Sequence, residues 1–365
     1  MTSNPERVAV IGTGLLGTSI AMAATRAGCE VRGWDVDPAV AGRAAGLAGC
    51  SAAPSLEEAA AGADIVVICT PIPAIPAAVA RALAAAPGAA VTDAASIKGR
   101  IVAEVSAVVD PADLVRFVPG HPMGGSERSG PEHAAPSIVD DIVWVLAPTD
   151  ETAADMVERV ERWVSRIGAR PVRMLPERHD RLVAFVSHLP QVASTALMGL
   201  AATEEAGEPE ILLLAAGGFR DLTRLAASNP ALWSEILRAN AGELAAAIDL
   251  FAAGLFALRD EVLAGDGAAI ERRFGLAKEA RLKLAAKPQV RAGVAVLQVP
   301  IPDSPGALAR LTAALGKGEV NIEDLQIVHS PEGGRGTVHL TVAATAAGDA
   351  AAVLTSGGFD PSRLA

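Results

Sequence analysis

Two motifs carry histidine, serine and lysine side chains, and the histidine lies where it could move a proton. His121 lies in GHPMGGSERSG, a glycine-rich, charged loop that is too polar to be core. Imidazole has an ordinary pKa of about 6.5, so a histidine held there suits a general base at neutral pH. Ser96 and Lys98 follow the apolar stretch AAVTDAA, and the serine hydroxyl could orient the imidazole or a substrate. The alternative is that His121 is an ordinary surface or helix-capping histidine.

The stretch GTGLLG, residues 12–17, has the spacing of a turn that binds a dinucleotide. Its first glycine permits a tight turn, the second lets backbone approach a pyrophosphate, and the third lets a helix pack on a strand. The helix N-terminus then faces the phosphates. A carboxylate at the end of the second predicted strand accepts hydrogen bonds from a ribose diol and repels a 2′-phosphate. This favours NAD over NADP, with predicted contacts from Gly12, Gly14, Leu15, Leu16, Gly17, Asp35, Thr70 and Pro71.

An alternation of strands and helices in the first half must position these side chains. The strand patterns are mostly continuous apolar runs, as expected when helices cover both faces of a sheet. They lie at residues 7–12, 29–35, 63–70, 89–95, 115–120 and 141–148. The series predicts a doubly wound, largely parallel Rossmann-type sheet in an α/β protein, with His121 and Ser96 at the edge where such sheets bind ligands.

The rest of the chain predicts two further domains, one all-helical and one small α+β unit. Helical periodicity continues from residue 177 to about 287, and its alanine-rich faces suit close packing in a dimer interface. A linker precedes a βαββα pattern, after which the closing DPSRLA is too short for a convincing fourth strand. The predicted domains are residues 1–174, 175–288 and 292–365.

Composition excludes several classes of protein. The chain has 51% hydrophobic and 20% charged residues, so it can bury a substantial core and is not disordered. A net charge of −11 without a basic stripe argues against nucleic-acid binding. The three cysteines lack metal-ligand spacing, and buried thiols in a reducing cytosol are the plain interpretation. No apolar run is expected to span a membrane, because the best candidate, residues 245–258, is short and interrupted by Asp249. We therefore expect a cytoplasmic protein without a metal site.

Six motifs together resemble the family of prephenate and arogenate dehydrogenases of tyrosine biosynthesis. They are GTGLLG, CTPI, TDAASIKG, GHPMGGSERSG, SHLPQ and GGFRDLTRLAASNPALW, and the match runs from about residue 7 to 285. The resemblance implies an NAD-dependent oxidative decarboxylation of prephenate, with arogenate as the alternative substrate. In this family the histidine of GHP accepts a hydrogen bond from the substrate hydroxyl, which implies that role for His121. Ser96 matches the family serine that contacts the same hydroxyl.

The resemblance also implies residues that bind the substrate. Arg224 matches the arginine that family members use for a substrate carboxylate, and a guanidinium fork suits that geometry. Arg220, one turn earlier, adds positive potential, and Trp233 and His188 match positions that line the pocket. His179, beside Asp180, is interpreted as structural. Glu127 and Arg128 stay open: they gate the pocket, bear on the choice of substrate or form a surface ion pair.

The C-terminal unit resembles the ACT domain, a small amino-acid-sensing fold. PDSPGALARL would open a helix whose N-terminus receives a carboxylate, and NIEDLQI would begin a neighbouring strand. The resemblance implies tyrosine as a feedback effector, contacted by Asp303, Gly306 and Asn321, against a purely structural role.

Two other functions compete with this interpretation. β-Hydroxyacid dehydrogenases also join a Rossmann domain to a helical one, but they use a lysine in the helical domain, and residues 178–277 contain none. A non-catalytic sensor of NAD and an amino acid would not need Ser96, His121 and Arg224 together.

Overall fold

The computed structural model describes residues 5–124, 128–285, 294–302, 304–329 and 335–363. Glu127 and Asp303, which the sequence singled out, lie outside these residues. The chain divides into two compact units. The first comprises residues 1–212 and 222–254, and the second comprises residues 213–221 and 255–365.

A six-stranded parallel sheet organises the N-terminal part of the first unit. Its strands are β1 (Arg7–Ile11), β2 (Glu30–Trp34), β3 (Ser51–Ala52), β4 (Ile65–Ile68), β5 (Ala90–Asp93) and β6 (Phe117–Val118). The order β3-β2-β1-β4-β5-β6 confirms the predicted doubly wound sheet. The register aligns Ile11 with Ile68 and Ile68 with Asp93, so the carboxyl ends of the three central strands meet at one edge.

Helices cover both faces of this sheet. They are α1 (Leu15–Arg26), α2 (Pro38–Ala48), α3 (Leu56–Ala60), α4 (Ile75–Ala85), α5 (Gly99–Ser106), α6 (Pro111–Leu114) and α7 (Ala154–Arg166), with 3-10 turns at Ile72–Ala74, Pro131–His133 and Pro136–Ile138. Local sequence sets their ends: the Asp37 side chain caps α2, whose first residue is a proline, and Gly49 ends it in the left-handed conformation. Alternate strand residues such as Val66 and Val67 belong to two separate cores, one on each face.

The later strands form a sheet of their own, which differs from the prediction of one sheet running to residue 174. The three strands are β7 (Gly120–Pro122), β8 (Val143–Leu146) and β9 (Arg170–Arg173). β7 pairs antiparallel with β8, and β8 pairs parallel with β9. Pro119 separates β6 from β7, and because proline has no N–H it cannot continue the ladder of the main sheet as a donor.

Helices follow from Pro176, and within the described residues no strand interrupts them up to residue 285. They are α8 (Pro176–Val183), α9 (Leu189–Glu204), α10 (Glu210–Leu213), α11 (Gly217–Thr223), α12 (Pro230–Ala239), α13 (Ala241–Ala264) and α14 (Gly267–Ala285), with a 3-10 turn at Arg224–Ala227. A π-helical turn at Ala184–His188 joins α8 to α9. Pro190 lies two residues beyond it, and its missing N–H removes one helical hydrogen bond, a common cause of such a bulge.

Apolar side chains remain exposed along these helices. In α13 only Leu244 and Ala247 are buried. The exposed large apolar side chains of the helical segment include Phe185, Val186, Leu200, Leu250, Phe251, Leu255, Phe256, Val262, Leu263, Phe274 and Leu276. The helices Pro176–Glu204 and Ala241–Ala264 are long and apolar enough to cross a membrane, so the expectation that no run reaches that length is wrong. Length and composition do not distinguish a membrane span from a helix that another protein surface covers.

The C-terminal part of the second unit is a four-stranded antiparallel sheet with two helices. Its elements are β10 (Val294–Pro302), α15 (Ala307–Lys317), β11 (Asp324–His329), β12 (Arg335–Ala343), α16 (Ala347–Ser356) and β13 (Ser362–Arg363), with a 3-10 turn at Ala344–Ala346. The sheet order is β11-β12-β10-β13. β13 is the fourth strand that the sequence did not predict, because it has only two residues, which pair with Gln298 and Leu297 of β10.

Candidate active site

Gly120 places the candidate base His121 directly above the end of β5. The Gly120 N–H donates to Asp93 Oδ1 at 3.1 Å, and its carbonyl accepts from the Lys98 ammonium. A Cβ at Gly120 would lie 2.6 Å from Thr92 Oγ1, 2.7 Å from the Asp93 carbonyl oxygen and 2.8 Å from Trp144 Nε1. The glycine before His121 is therefore required by the close approach of β5 and β8.

Lys98 and Asp93 form a buried ion pair, and both side chains hydrogen-bond the backbone of Gly120. Both side chains are fully buried. Burial lowers the pKa of Lys98, and the Asp93 carboxylate opposes that shift. Lys98 was identified from the sequence without a role. A carboxylate and an ammonium five residues apart at the end of a strand could have indicated an ion pair. The pair links β5, the start of α5 and β7.

His121 makes its principal contact with another histidine. Its Nδ1 lies 2.8 Å from Nε2 of His179, and the two rings meet edge to face with centroids 5.0 Å apart. His179 Nδ1 lies 2.7 Å from Asp180 Oδ1. The sequence suggested Ser96 as the group that orients the imidazole, but no hydrogen bond joins Ser96 to His121 in the described part of the chain. His179, interpreted as structural, is instead the residue in contact with His121.

The surroundings keep the His121 ring neutral. Its pKa lies well below the ordinary 6.5, first because the protein desolvates the ring. A protonated His179 would lower it further, as would the Lys98 ammonium and a protonated His188. A neutral imidazole with one nitrogen engaged by His179 retains one nitrogen for proton transfer. His121 as a whole residue is partly exposed.

His188 and Trp233 form a second cluster beside this group. Their rings meet edge to face with centroids 6.1 Å apart. His188 is buried, and burial lowers its pKa to about 4, so it is neutral at pH 7. Its Nδ1 lies 3.3 Å from the Asn240 amide nitrogen, which also donates to the Asp180 carbonyl at 2.8 Å. Asn240, which the sequence analysis missed, therefore joins the two clusters.

Arg224 begins the exposed 3-10 turn after α11. Gln191 fixes this turn, since its amide donates to the Leu225 carbonyl at 2.8 Å and its carbonyl accepts from Ser228 at 3.3 Å. Gln191 is buried and closes the SHLPQ motif, but the sequence alone gave it no function. Arg220 belongs to the second unit, where its guanidinium donates to the Ala215 carbonyl at 3.3 Å.

The glycine loop after β1 fits a dinucleotide. Gly12 has φ +92°, and a Cβ at Gly17 would lie 1.9 Å from the Gly12 carbonyl oxygen, so both positions require glycine. A Cβ at Gly14 would meet nothing within 4 Å, which leaves open space beside the first turn of α1. The N–H groups of that turn, from Leu15 to Gly17, have no partner inside the helix and suit a phosphate.

The other predicted cofactor residues border the same edge of the sheet. Asp35 accepts hydrogen bonds from the Thr13 and Asp37 N–H groups at 2.8 and 3.1 Å, so it is held as a carboxylate next to the loop. Thr70 follows β4, and its buried hydroxyl has no hydrogen-bond partner in the described structure. An unsatisfied buried hydroxyl facing this edge is consistent with a ligand that would complete the site. Pro71 is exposed beside it.

The chain is similar to known proteins over most of its length. The family model of the prephenate dehydrogenase nucleotide-binding domain matches residues 20–173, and that of the prephenate dehydrogenase dimerization domain matches residues 175–275. The chain is also 33% identical over 292 residues to the cyclohexadienyl dehydrogenase of Zymomonas mobilis, covering 78% of this chain and 98% of that protein.

The chain belongs to the prephenate dehydrogenase family. Solved structures of the family share its fold. The Aquifex aeolicus prephenate dehydrogenase, in complex with hydroxyphenyl propionate and NAD+, is 26% identical with a TM-score of 0.71 and covers 78% of this chain and 100% of its own. The Synechocystis arogenate dehydrogenase is 27% identical with a TM-score of 0.68, covering 76% and 99%. The family and the α/β fold predicted from the six motifs are confirmed.

Proposed function

We propose that this protein catalyses the NAD-dependent oxidative decarboxylation of prephenate to 4-hydroxyphenylpyruvate in tyrosine biosynthesis. The observation that carries the proposal is the pair of His121 and His179 at the edge of the sheet. Next to a glycine loop that fits a dinucleotide, it presents a neutral imidazole with one nitrogen engaged and the other available. Membership of the prephenate dehydrogenase family supports the choice of reaction.

The side chains have the following roles in this proposal. His121 removes the proton of the substrate's ring hydroxyl, so that the O–H electron pair forms a carbonyl as the C–H pair leaves the same carbon as hydride. Ser96 contacts the same hydroxyl. When bound, NAD+ supplies the hydride acceptor. After the C–C bond to carbon dioxide breaks, its electron pair makes the ring aromatic and the oxygen regains a proton as the phenol hydroxyl. Carbon dioxide leaves as the ring becomes aromatic, which makes the step effectively irreversible. The protein therefore needs mainly to orient its substrate and to take up one proton.

An arginine side chain provides the positive charge that a dicarboxylate substrate requires. Arg224 binds one carboxylate, and within the described residues no ion pair occupies its guanidinium. Trp233 lines the ring pocket together with His188, which is neutral and contributes shape and a hydrogen-bond donor rather than charge.

The proposal is tested by steady-state reduction of NAD+ with prephenate and arogenate in parallel assays. Turnover of prephenate, with a much lower kcat/KM for arogenate, is the expected result. Turnover of arogenate alone would show that arogenate is the substrate and tyrosine the product. This is the activity for which the Synechocystis relative is named. Absence of turnover with both substrates, in protein that still binds NAD+, contradicts the proposal.

The exposed apolar helices support a homodimer. Residues 175–275 match a dimerization domain, and a second copy would cover the apolar surface of α13. We propose that this dimer is located in the cytoplasm. Sedimentation of the detergent-free protein as a stable dimer is expected, whereas extraction only in detergent would contradict it.

The C-terminal sheet supports an ACT-like regulatory domain that binds tyrosine. Its β-α-β-β-α-β element order is complete, and Gly306 precedes α15 in the left-handed conformation with φ +83°. Asn321 lies exposed before β11, where its amide donates to Glu323 at 3.1 Å. Isothermal titration with tyrosine is expected to show binding that Asn321→Ala weakens. No binding, together with no inhibition of turnover, would leave the domain a structural role.

A further inference from the structure

Asp180, His179 and His121 form a line of three hydrogen-bonding side chains that ends at the candidate base. Asp180 Oδ1 lies 2.7 Å from His179 Nδ1, and His179 Nε2 lies 2.8 Å from His121 Nδ1. His179 is fully buried, and Asp180 is 7% exposed, so solvent does not compete for these hydrogen bonds. Sequence position gives no hint of the contact, since His121 and His179 are 58 residues apart.

The backbone fixes Asp180 as a carboxylate. Its Oδ1 accepts from the Lys98 N–H at 2.7 Å, and its Oδ2 accepts from the Gly99 N–H at 2.8 Å, where α5 begins. Burial alone would raise the pKa of this carboxyl, but hydrogen bonds from His179 and from the two backbone groups together lower it. An ionised carboxylate can only accept hydrogen bonds.

For a neutral His179 ring, the direction of every hydrogen bond in the line follows from this carboxylate. His179 must donate from Nδ1, so in the neutral ring its Nε2 is an acceptor. His121 must then donate from Nδ1 to that acceptor. The remaining nitrogen of His121, Nε2, carries the lone pair and faces away from the line. In the other tautomer of His121, with the proton on Nε2, the lone pair of Nδ1 would face the lone pair of His179 Nε2.

We infer that His179 and Asp180 are positioning residues that hold His121 in its Nδ1–H tautomer and so present Nε2 as the base. The inference rests on the proposed proton removal by His121. In that step the substrate O–H bond breaks and the proton forms a bond to His121 Nε2. The O–H electron pair forms the carbonyl as the C–H pair leaves the same carbon as hydride, for which bound NAD+ would be the acceptor. The resulting imidazolium donates from Nδ1 to His179, whose other nitrogen donates to Asp180. The carboxylate thereby stabilises the charge through the intervening ring.

Two substitutions of His179 separate this role from simple packing. In His179→Asn the amide reaches only as far as Nδ1 of the native ring, so it keeps the contact with Asp180 and loses His121. In His179→Gln the amide extends to the position of Nε2, where its oxygen can accept from His121 Nδ1. We expect kcat to fall by about 10²-fold in His179→Asn, the lower end of what a positioned general base supplies. His179→Gln is expected to recover most of that loss.

The controls exclude a general effect on folding or binding. His133→Asn alters an exposed histidine of the same unit and is expected to leave kcat unchanged. The KM for NAD+ and the thermal midpoint of both His179 variants are expected to stay close to wild type. Equal kcat in wild type and His179→Asn would overturn the inference. So would equal losses in the Asn and Gln variants, because packing alone does not favour Gln.

The tautomer itself is measurable without turnover. The ¹⁵N shifts of histidine-labelled protein, with the His121 signals assigned from their loss in His121→Asn, report which ring nitrogen carries the proton. A protonated Nδ1 and an unprotonated Nε2 in wild type, lost in His179→Asn, are expected. A protonated Nε2 in wild type overturns the inference even if the enzyme turns over. The expected tautomer in a protein that oxidises neither cyclohexadienyl substrate refutes the proposed function and leaves the positioning of His121 intact.

Discussion

Removal of the Lys98 ammonium should destabilise the site more than any surface charge. In Lys98→Met the Asp93 carboxylate stays fully buried without its cation. Breaking such a pair costs about 3–5 kcal/mol. Asp93 keeps hydrogen bonds from the Ala95 and Gly120 N–H groups at 3.1 Å each, which places the expected loss near the lower end of that range. The Gly120 carbonyl also loses its donor, so kcat should fall because His121 is next in the chain.

The double variant Lys98→Met/Asp93→Asn tests whether the unpaired charge causes this loss. With both charges removed, the loss should be at least about 1 kcal/mol smaller than the sum of the two single losses, since contacting residues couple by about 0.5–3 kcal/mol. Urea unfolding, followed by tryptophan fluorescence, measures these losses, because Trp144 and Trp163 are buried together in the core on one face of the main sheet. Lys278→Met, on exposed α14, is the matched control and should change stability by less than about 0.5 kcal/mol. A loss below about 1 kcal/mol in Lys98→Met, or full additivity, would refute the reasoning.

Three further outcomes follow from the same geometry. Gly14→Ala should keep the thermal midpoint but raise the Kd for NAD+ at least about tenfold, because its Cβ enters the open space beside α1. Gly17→Ala should fail to fold stably, because its Cβ would collide with the Gly12 carbonyl. Unchanged NAD+ affinity in folded Gly14→Ala would count against the cofactor site. Arg224→Lys should raise the KM for prephenate about tenfold with little change in kcat, since an ammonium replaces a guanidinium fork; an unchanged KM would remove Arg224 from the pocket. Because the pKa of His121 is lowered, the ring stays neutral as the pH falls through 6.5, so kcat/KM should decline only below that value; a midpoint at or above 6.5 would contradict the neutral, desolvated base.

The sequence predicted those features that depend on neighbouring residues. The spacing of the glycine loop predicted a helix directly after it, and α1 begins at Leu15. Gly12 and Gly17 were assigned from spacing alone, and their contacts explain why glycine is required there. Continuous apolar strands indicated a sheet covered on both faces, and the two cores confirm it.

The remaining features depend on contacts between distant parts of the chain. The partner of His121 lies 58 residues away, and the backbone donors to Asp180 lie 82 and 81 residues away, so no local pattern reports them. The strand predicted at residues 141–148, which is β8, was assigned to the wrong sheet because periodicity does not identify a strand's partner. β13 was missed since two residues carry no periodicity.

The central claim is that His121 is the base of an NAD-dependent oxidation of prephenate, and His121→Asn tests it most directly. The measurement is kcat for NAD+ reduction by prephenate in the wild-type protein and the variant, with NAD+ binding measured in both. The account predicts turnover by the wild type, a loss of about 10²–10⁴-fold in the variant, and equal affinity for NAD+. A variant that retains wild-type kcat would contradict it.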